Sequence, residues 1–196
     1  SWNALDGQDG NADYFRGTAY YAKSIDKYDL PEAGKYFLEI NGANSSAKVY
    51  WNGKLMAEHH GGYSTWRVDV TGEIAPSNLV VIEVDNSANQ RVYPQNADFT
   101  FYGGVYRDVN LICVSESHFD LEYYGGPGIM VTPKPTDWGG ATFEIETFVK
   151  NEDENFTVQY AIYDEEGTEV GYAVRPADAT KTTIFVPDVN LWDFDH

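Results

Sequence analysis

The densest run of chemically useful side chains is Asn96-Ala97-Asp98-Phe99-Thr100-Phe101-Tyr102-Gly103-Gly104-Val105-Tyr106-Arg107-Asp108-Val109. It sets carboxylates and an amide beside four aromatic rings and breaks at Gly-Gly, where the backbone takes paths closed to other residues. Such rings stack on the C–H faces of a sugar, while Asp and Asn bridge neighbouring hydroxyls. Phe99, Phe101 and Tyr102 would serve equally well to fill the core of a β-sandwich. On these residues alone, core filling and ligand contact stand as even alternatives.

Other chemistries find little support. The chain has no Gly-rich phosphate loop, no Gly-x-Ser-x-Gly elbow and no His-Glu-x-x-His helix. His59 and His60 are adjacent, so on an extended segment they point opposite ways; with no third ligand beside them, no metal is assigned. Asn151-Glu152 lies between two strand-like runs, where a solvated hairpin tip is expected rather than an acid whose pKa needs a shielded pocket. Glycoside hydrolysis requires two carboxyls ~5–5.5 Å or ~6.5–9.5 Å apart across the scissile bond. With 31 acidic residues present, carboxylates alone prove nothing.

The formal charge of −18 is spread along the chain, with 9 basic and 17 acidic residues before Gly125 and 4 and 14 from it onward. Neither part offers the Lys/Arg footprint of a phosphate backbone or an anionic bilayer, so neither nucleic acid nor membrane is expected as a partner. Cys113 is the single cysteine, which excludes an intrachain disulfide; in Val109-Asn110-Leu111-Ile112-Cys113-Val114 it reads as a small buried strand residue. The sequons Asn44-Ser45-Ser46 and Asn155-Phe156-Thr157 would matter only in a secreted eukaryotic protein. The compartment is left open, with the cytoplasm the favoured expectation, and the native N-terminus is expected to lie upstream of Ser1.

The elements that must position these groups are strands. Tyr36, Leu38 and Ile40 alternate with Phe37 and Glu39, and Asn52-Gly53 joins Lys48–Trp51 to Lys54–Met56 as a hairpin turn needing positive φ at both residues. Asn78–Val84 reads as a buried strand. Beyond Gly125-Gly126-Pro127-Gly128, taken as a joint, Phe143, Ile145, Thr147 and Val149 share a face, followed by Val158–Tyr163 and Thr182–Val186. Short strands with turn signals and no helical period predict an all-β chain. Residues 1–124 are expected to form a jelly-roll, galactose-binding-like sandwich, and 125–196 an immunoglobulin-like one, incomplete as it stands.

Several stretches, in order, resemble the family 2 glycoside hydrolases of β-galactosidase and β-glucuronidase type. Arg16-Gly17-Thr18-Ala19-Tyr20-Tyr21 is similar to the family's opening strand, and Val49-Tyr50-Trp51-Asn52-Gly53 with Gly61-Gly62-Tyr63 to its central hairpin. Asp69-Val70-Thr71 followed by Asn78–Asn86, the Asp98–Val109 run, and the closing Asn190-Leu191-Trp192-Asp193 fit in turn. The resemblance implies a sugar-binding domain and an immunoglobulin-like domain ahead of a (β/α)8 barrel that holds both catalytic glutamates, in a homo-oligomeric parent. It implies no catalytic residue in this chain, a β-linked carbohydrate substrate, most closely a β-galactoside hydrolysed with retention, and no organic cofactor. It places Asp98 on the non-reducing sugar, with a cation of the parent enzyme as a further contact, and leaves Asp9 and Asn11 as weaker substrate contacts. A stand-alone carbohydrate-binding module and a structural or adhesive sandwich pair are the alternatives.

Overall fold

The computed structural model describes residues 15–93, 101–152 and 155–191, and the chain divides into two compact units, Ser1–Ser115 and Glu116–His196. Both are built from strands. Two single 3-10 turns, Lys27–Asp29 and Thr71–Glu73, are the only helical segments among the described residues. No helix among them is long and apolar enough to cross a membrane.

In the first unit, β1 (Thr18–Asp26), β2 (Lys35–Ile40), β3 (Ala43–Asn44), β4 (Ser46–Trp51), β5 (Lys54–His60), β6 (Trp66–Asp69), β7 (Ser77–Asp85), β8 (Gly104–Val105) and β9 (Val109–Val114) form a jelly-roll-type sandwich. One antiparallel sheet has the order β1-β7-β4-β5, the other β6-β2-β9, and β3 with β8 makes a short ribbon. Period-two alternation decides the faces. Val80, Ile82 and Val84 of β7, and Ala47, Val49 and Trp51 of β4, point inward and are buried against Leu38, Ile40, Trp66 and Val68 of the second sheet. The expected hairpin is present: Asn52 and Gly53 have φ of 51° and 82°, and Trp51 pairs with Lys54. Cys113 differs from its expectation. It is half-buried, because β9 lies at the edge of its sheet and covers the core from one side only; burial raises its thiol pKa.

The fully buried Trp51 carries a polar N–H that must be paired. Its Nε1 donates to Asn78 Oδ1 at 3.1 Å and to the Glu73 carbonyl at 3.1 Å. Asn78, 2% exposed, is a small hub: its oxygen also accepts from Ala75 N at 2.8 Å, and its Nδ2 donates to the carbonyls of Ala75 at 2.7 Å and Ile25 at 3.2 Å. One side chain thus joins β4, the start of β7 and the end of β1.

The second unit contains β10 (His118–Phe119), β11 (Ile129–Pro135), β12 (Ala141–Thr147), β13 (Val149–Lys150), β14 (Thr157–Tyr163), β15 (Glu169–Pro176) and β16 (Lys181–Val186). Its sheets, β11-β12-β16 and β14-β15, are those of an immunoglobulin-like sandwich and enclose Ile145, Tyr160, Ala173 and Ile184. A buried hydroxyl pair, Thr147 Oγ1 to Tyr160 Oη at 2.9 Å, ties the two sheets. The ladder stops at Thr147, so Val149 leaves the face it shares in sequence with Ile145 and pairs instead with Phe119. That β10–β13 pairing places Glu116–Tyr124, together with Gly125-Gly126-Pro127-Gly128, in the second unit.

His59 is half-buried at the sandwich edge, stacked on Trp66 with centroids 5.0 Å apart and rings 14° from parallel. Burial lowers its pKa, and the neighbouring His60 lowers it further. Below the ordinary histidine value of about 6.5 the unfolded chain therefore binds a proton that the folded one refuses. Stability should be indifferent to this residue above about pH 7 and fall as the pH drops from about 6.5 towards the lowered folded value. Urea denaturation followed by tryptophan fluorescence at pH 7.5, 6.0 and 5.0 measures the slope, which His59→Phe should flatten. Separately, Asn78→Ala should cost about 2–4 kcal/mol, since it orphans the Trp51 and Ala75 N–H groups; a shift in urea midpoint within error would contradict the hub.

Candidate functional site

The residues singled out as sugar contacts, Asp98, Asp9 and Asn11, lie outside the described residues, as do Asn96 and Phe99. What the structure describes is the frame on either side of residues 94–100. On the near side β7 ends at Asp85 and the chain reaches Tyr93; on the far side it resumes at Phe101 and enters β8.

Two buried asparagines build that frame. Asn44, in the β3–β8 ribbon opposite Gly104, donates from Nδ2 to the Tyr102 carbonyl at 2.8 Å and accepts at Oδ1 from Tyr93 Oη at 3.4 Å. One amide therefore holds the chain on both sides of residues 94–100. Asn86 accepts from Gly17 N at 2.8 Å and donates to the Phe15 carbonyl at 2.8 Å, fixing the entry to β1. Glycines let the backbone close onto these amides: a Cβ on Gly62 would collide with the Asn44 side chain, and one on Gly103 with that of Asn86.

Around the frame stands a tyrosine cluster. Tyr63 and Tyr93 stack with centroids 5.4 Å apart and planes 15° from parallel; Tyr106 meets Tyr63 edge-on at 6.2 Å. Tyr106 Oη donates to the Gly62 carbonyl at 2.5 Å, and Arg107 Nη1 donates to the Tyr63 carbonyl at 3.0 Å while its guanidinium lies 5.2 Å from the Tyr106 ring centre. Burial pushes both the Tyr93 and Tyr106 phenols above their ordinary value, and the nearby Tyr63 adds to each shift. These two phenols are therefore uncharged at neutral pH. Phe101 is buried against Tyr93, 8% exposed, whereas Tyr102 is 36% exposed. Core filling accordingly accounts for Phe101, and Tyr102 stands at the surface.

The other candidates separate. His60 points to the outer face, its Nδ1 2.9 Å from Ser46 Oγ, while His59 turns inward to Trp66, and no three potential metal-ligating side chains converge among the described residues. Asn151 and Glu152 are solvent-exposed as expected, and Asn151 takes a φ of 50° and donates to the Glu116 carbonyl at 3.0 Å. The segment is not a hairpin tip, however: β13 pairs with β10 and β14 with β15, so it links two different sheets. Asn44, half of a sequon, is 2% exposed and unavailable to a glycan in the folded domain. Sequence reasoning missed Asn44, Asn86, Tyr63 and Tyr93 as parts of the frame. The usable signal was the repeated juxtaposition of an asparagine at a strand end with a Gly-Gly elsewhere.

Comparison with known proteins fits this geometry. The profile described as "Glycosyl hydrolases family 2, sugar binding domain" matches residues 7–115, which end where the first compact unit ends. A β-glucuronidase of Bacteroides fragilis is 31% identical over 174 residues, 87% of this chain and 25% of the relative. Among solved structures, an FMN-binding β-glucuronidase from Facaelibacterium prausnitzii L2-6 is 52% identical with a TM-score of 0.90, over 99% of this chain and 30% of that one. A β-galactosidase assignment also occurs, for a Bacteroides fragilis structure 29% identical with a TM-score of 0.82, over 97% of this chain and 30% of the other. The chain spans about a quarter of the length of the curated relatives it matches first. With more than half its length matched by the sugar binding domain, the chain belongs to glycosyl hydrolase family 2.

Proposed function

We propose that this chain is the non-catalytic front of a family 2 β-glucuronidase, whose retaining hydrolysis is carried out by a (β/α)8 barrel elsewhere in the parent protein. The observation that carries the glucuronide assignment is the 52% identity to a β-glucuronidase across 99% of this chain. A β-galactosidase remains the second reading, favoured by the Bacteroides fragilis structure of that assignment. FMN binding is a property of the Facaelibacterium protein.

In this reading the domain lends a carboxylate. Asp98 reaches the sugar, and the Asn44 clamp supports this reading by fixing Tyr93 and Tyr102, which flank the segment in sequence. Positioning of this kind acts on rate as well as affinity, because a misplacement of ~1 Å costs up to ~100-fold. Hydrogen bonds to sugar hydroxyls that strengthen in the transition state act in the same sense.

The parent enzyme should hydrolyse p-nitrophenyl β-glucuronide with a kcat/KM at least ~100-fold above that for the β-galactoside, a discrimination of ~2.7 kcal/mol. The inverse ratio would select the second reading. In the same enzyme Asp98→Asn should lower kcat/KM by ~10–1000-fold with the unfolding midpoint unchanged; wild-type kinetics would remove Asp98 from the site. Gly103→Ala, which drives a methyl group into the Asn86 amide, should cost about 1–3 kcal/mol of stability and depress kcat/KM as well. Stability lost with full kinetics retained would detach the frame from catalysis.

A further inference from the structure

The outer face of the sheet β1-β7-β4-β5 is laid out in cross-strand rows. Residues directly opposed in an antiparallel pair project from the same face with Cβ atoms ~4.5–5.5 Å apart. The register puts Thr18, Asp85, Ser46 and His60 in one row and Tyr20, Glu83, Lys48 and Glu58 in the next. The row after that, Ala22, Val81, Tyr50 and Leu55, is apolar apart from the tyrosine hydroxyl, which points at Glu83 from 3.4 Å.

Over the β7, β4 and β5 members of the two polar rows opens a cavity of about 270 Å³, walled by Asn89 and Arg91 from the segment after β7. Its side chains hold one another in place. Asn89 Nδ2 donates to Ser46 Oγ at 2.9 Å, Ser46 Oγ lies 2.9 Å from His60 Nδ1, and His60 Nε2 lies 3.1 Å from Arg91 and 3.2 Å from Glu58. Lys48 Nζ is 3.0 Å from Glu83. Asp85 is fixed by the Ser87 N–H at 2.6 Å and the Thr18 hydroxyl at 2.9 Å.

The chemistry of the lining selects the ligand. Two cations face three carboxylates, so an anion would meet more like charge than opposite, and a cation would compete with Lys48 and Arg91 already in place. A neutral polyol suits the lining better, since each hydroxyl both donates and accepts and so bridges a carboxylate to an ammonium, amide or guanidinium without unpairing either. Tyr20 lies outside the lining but next to it, 66% exposed and opposite Glu83 in its row, where an aromatic ring can reach the C–H face of a sugar that protrudes from the cavity. The cavity is just under the ~300–1,000 Å³ of pockets for drug-sized ligands, which suits one sugar ring. We propose that this cavity binds a neutral pyranose. The site is built wholly from residues 18–91 and does not depend on the role given to Asp98.

The test is a nitrogen-15 NMR titration of the chain with methyl β-D-galactopyranoside and methyl β-D-glucopyranoside, and with sodium glucuronate as the charged counterpart. At least one neutral glycoside should shift the amides of Ser46, Lys48, Glu83 and Asp85 saturably, with a Kd of about 1–10 mM, and glucuronate should bind roughly tenfold or more weakly. The charge-conserving double variant Lys48→Met/Glu83→Gln should weaken binding at least roughly tenfold, as should Tyr20→Ala. If the double variant loses its native spectrum, Tyr20→Ala alone decides. Asp98→Asn should bind as the parent chain does. Absent or unsaturable shifts, equal binding of glucuronate, or binding indifferent to these variants would overturn the proposal. Binding abolished by Asp98→Asn would overturn it too, by moving the sugar to the 94–100 segment, and would leave the reading of Asp98 standing.

Discussion

A buried amide must find partners for all its polar atoms, and the first unit is arranged around three that do. Asn44, Asn78 and Asn86 are each about 2% exposed, and each spends its amide on backbone far away in sequence. Leaving one such group unpaired costs about 1–3 kcal/mol, a large fraction of a domain's net stability. A hydrophobic core tolerates many near-equivalent packings, whereas a satisfied amide accepts one. The asparagines therefore choose among the arrangements that apolar burial alone would permit. Asn78 chooses how β1, β4 and β7 meet, while Asn44 and Asn86 choose where the connecting segments leave the sandwich.

The same constraint separates what is rigid from what is presented. Residues that could touch a sugar must carry unsatisfied hydrogen-bonding capacity, which a core holds only at a cost. The unit keeps its fully paired amides inside and places tyrosines of intermediate exposure around them. Tyr63 and Tyr93 stack face to face and Tyr106 meets Tyr63 edge-on, while all three stay part-exposed, so an amphipathic rim borders the frame. This division suits a domain whose contribution is geometric.

The strands and the Asn52-Gly53 hairpin were legible in the sequence because they follow from local rules: alternation for burial and positive φ for the turn. So was the separation of His59 from His60, which follows from adjacency in a strand. The family resemblance was legible too, since it rests on ordered local motifs. The frame around residues 94–100 was not. Asn44 contacts Tyr102 across 58 positions, and Asn86 contacts Phe15 across 71, distances over which composition carries no signal. Cys113 went astray for a related reason: an apolar run marks a strand without saying whether both of its faces are covered. The β10–β13 pairing was hidden in two-residue strands too short to show a period.

Asn52-Gly53 has a bearing on chemical ageing. Asparagine followed by glycine is the dipeptide most open to deamidation, because the unhindered glycine nitrogen attacks the side-chain carbonyl to form a succinimide. Here that side chain is occupied: Oδ1 accepts from Leu79 N at 2.8 Å, and Nδ2 donates to Asn78 Oδ1 at 3.3 Å and towards the Glu73 carbonyl at 3.4 Å. Cyclisation would have to break these bonds and swing the amide back over its own backbone. The tip of the hairpin thus works as a molecular clock that runs only while β4, β5 and β7 are apart, and isoaspartate at position 52 in an aged sample would record how long the sandwich had spent open.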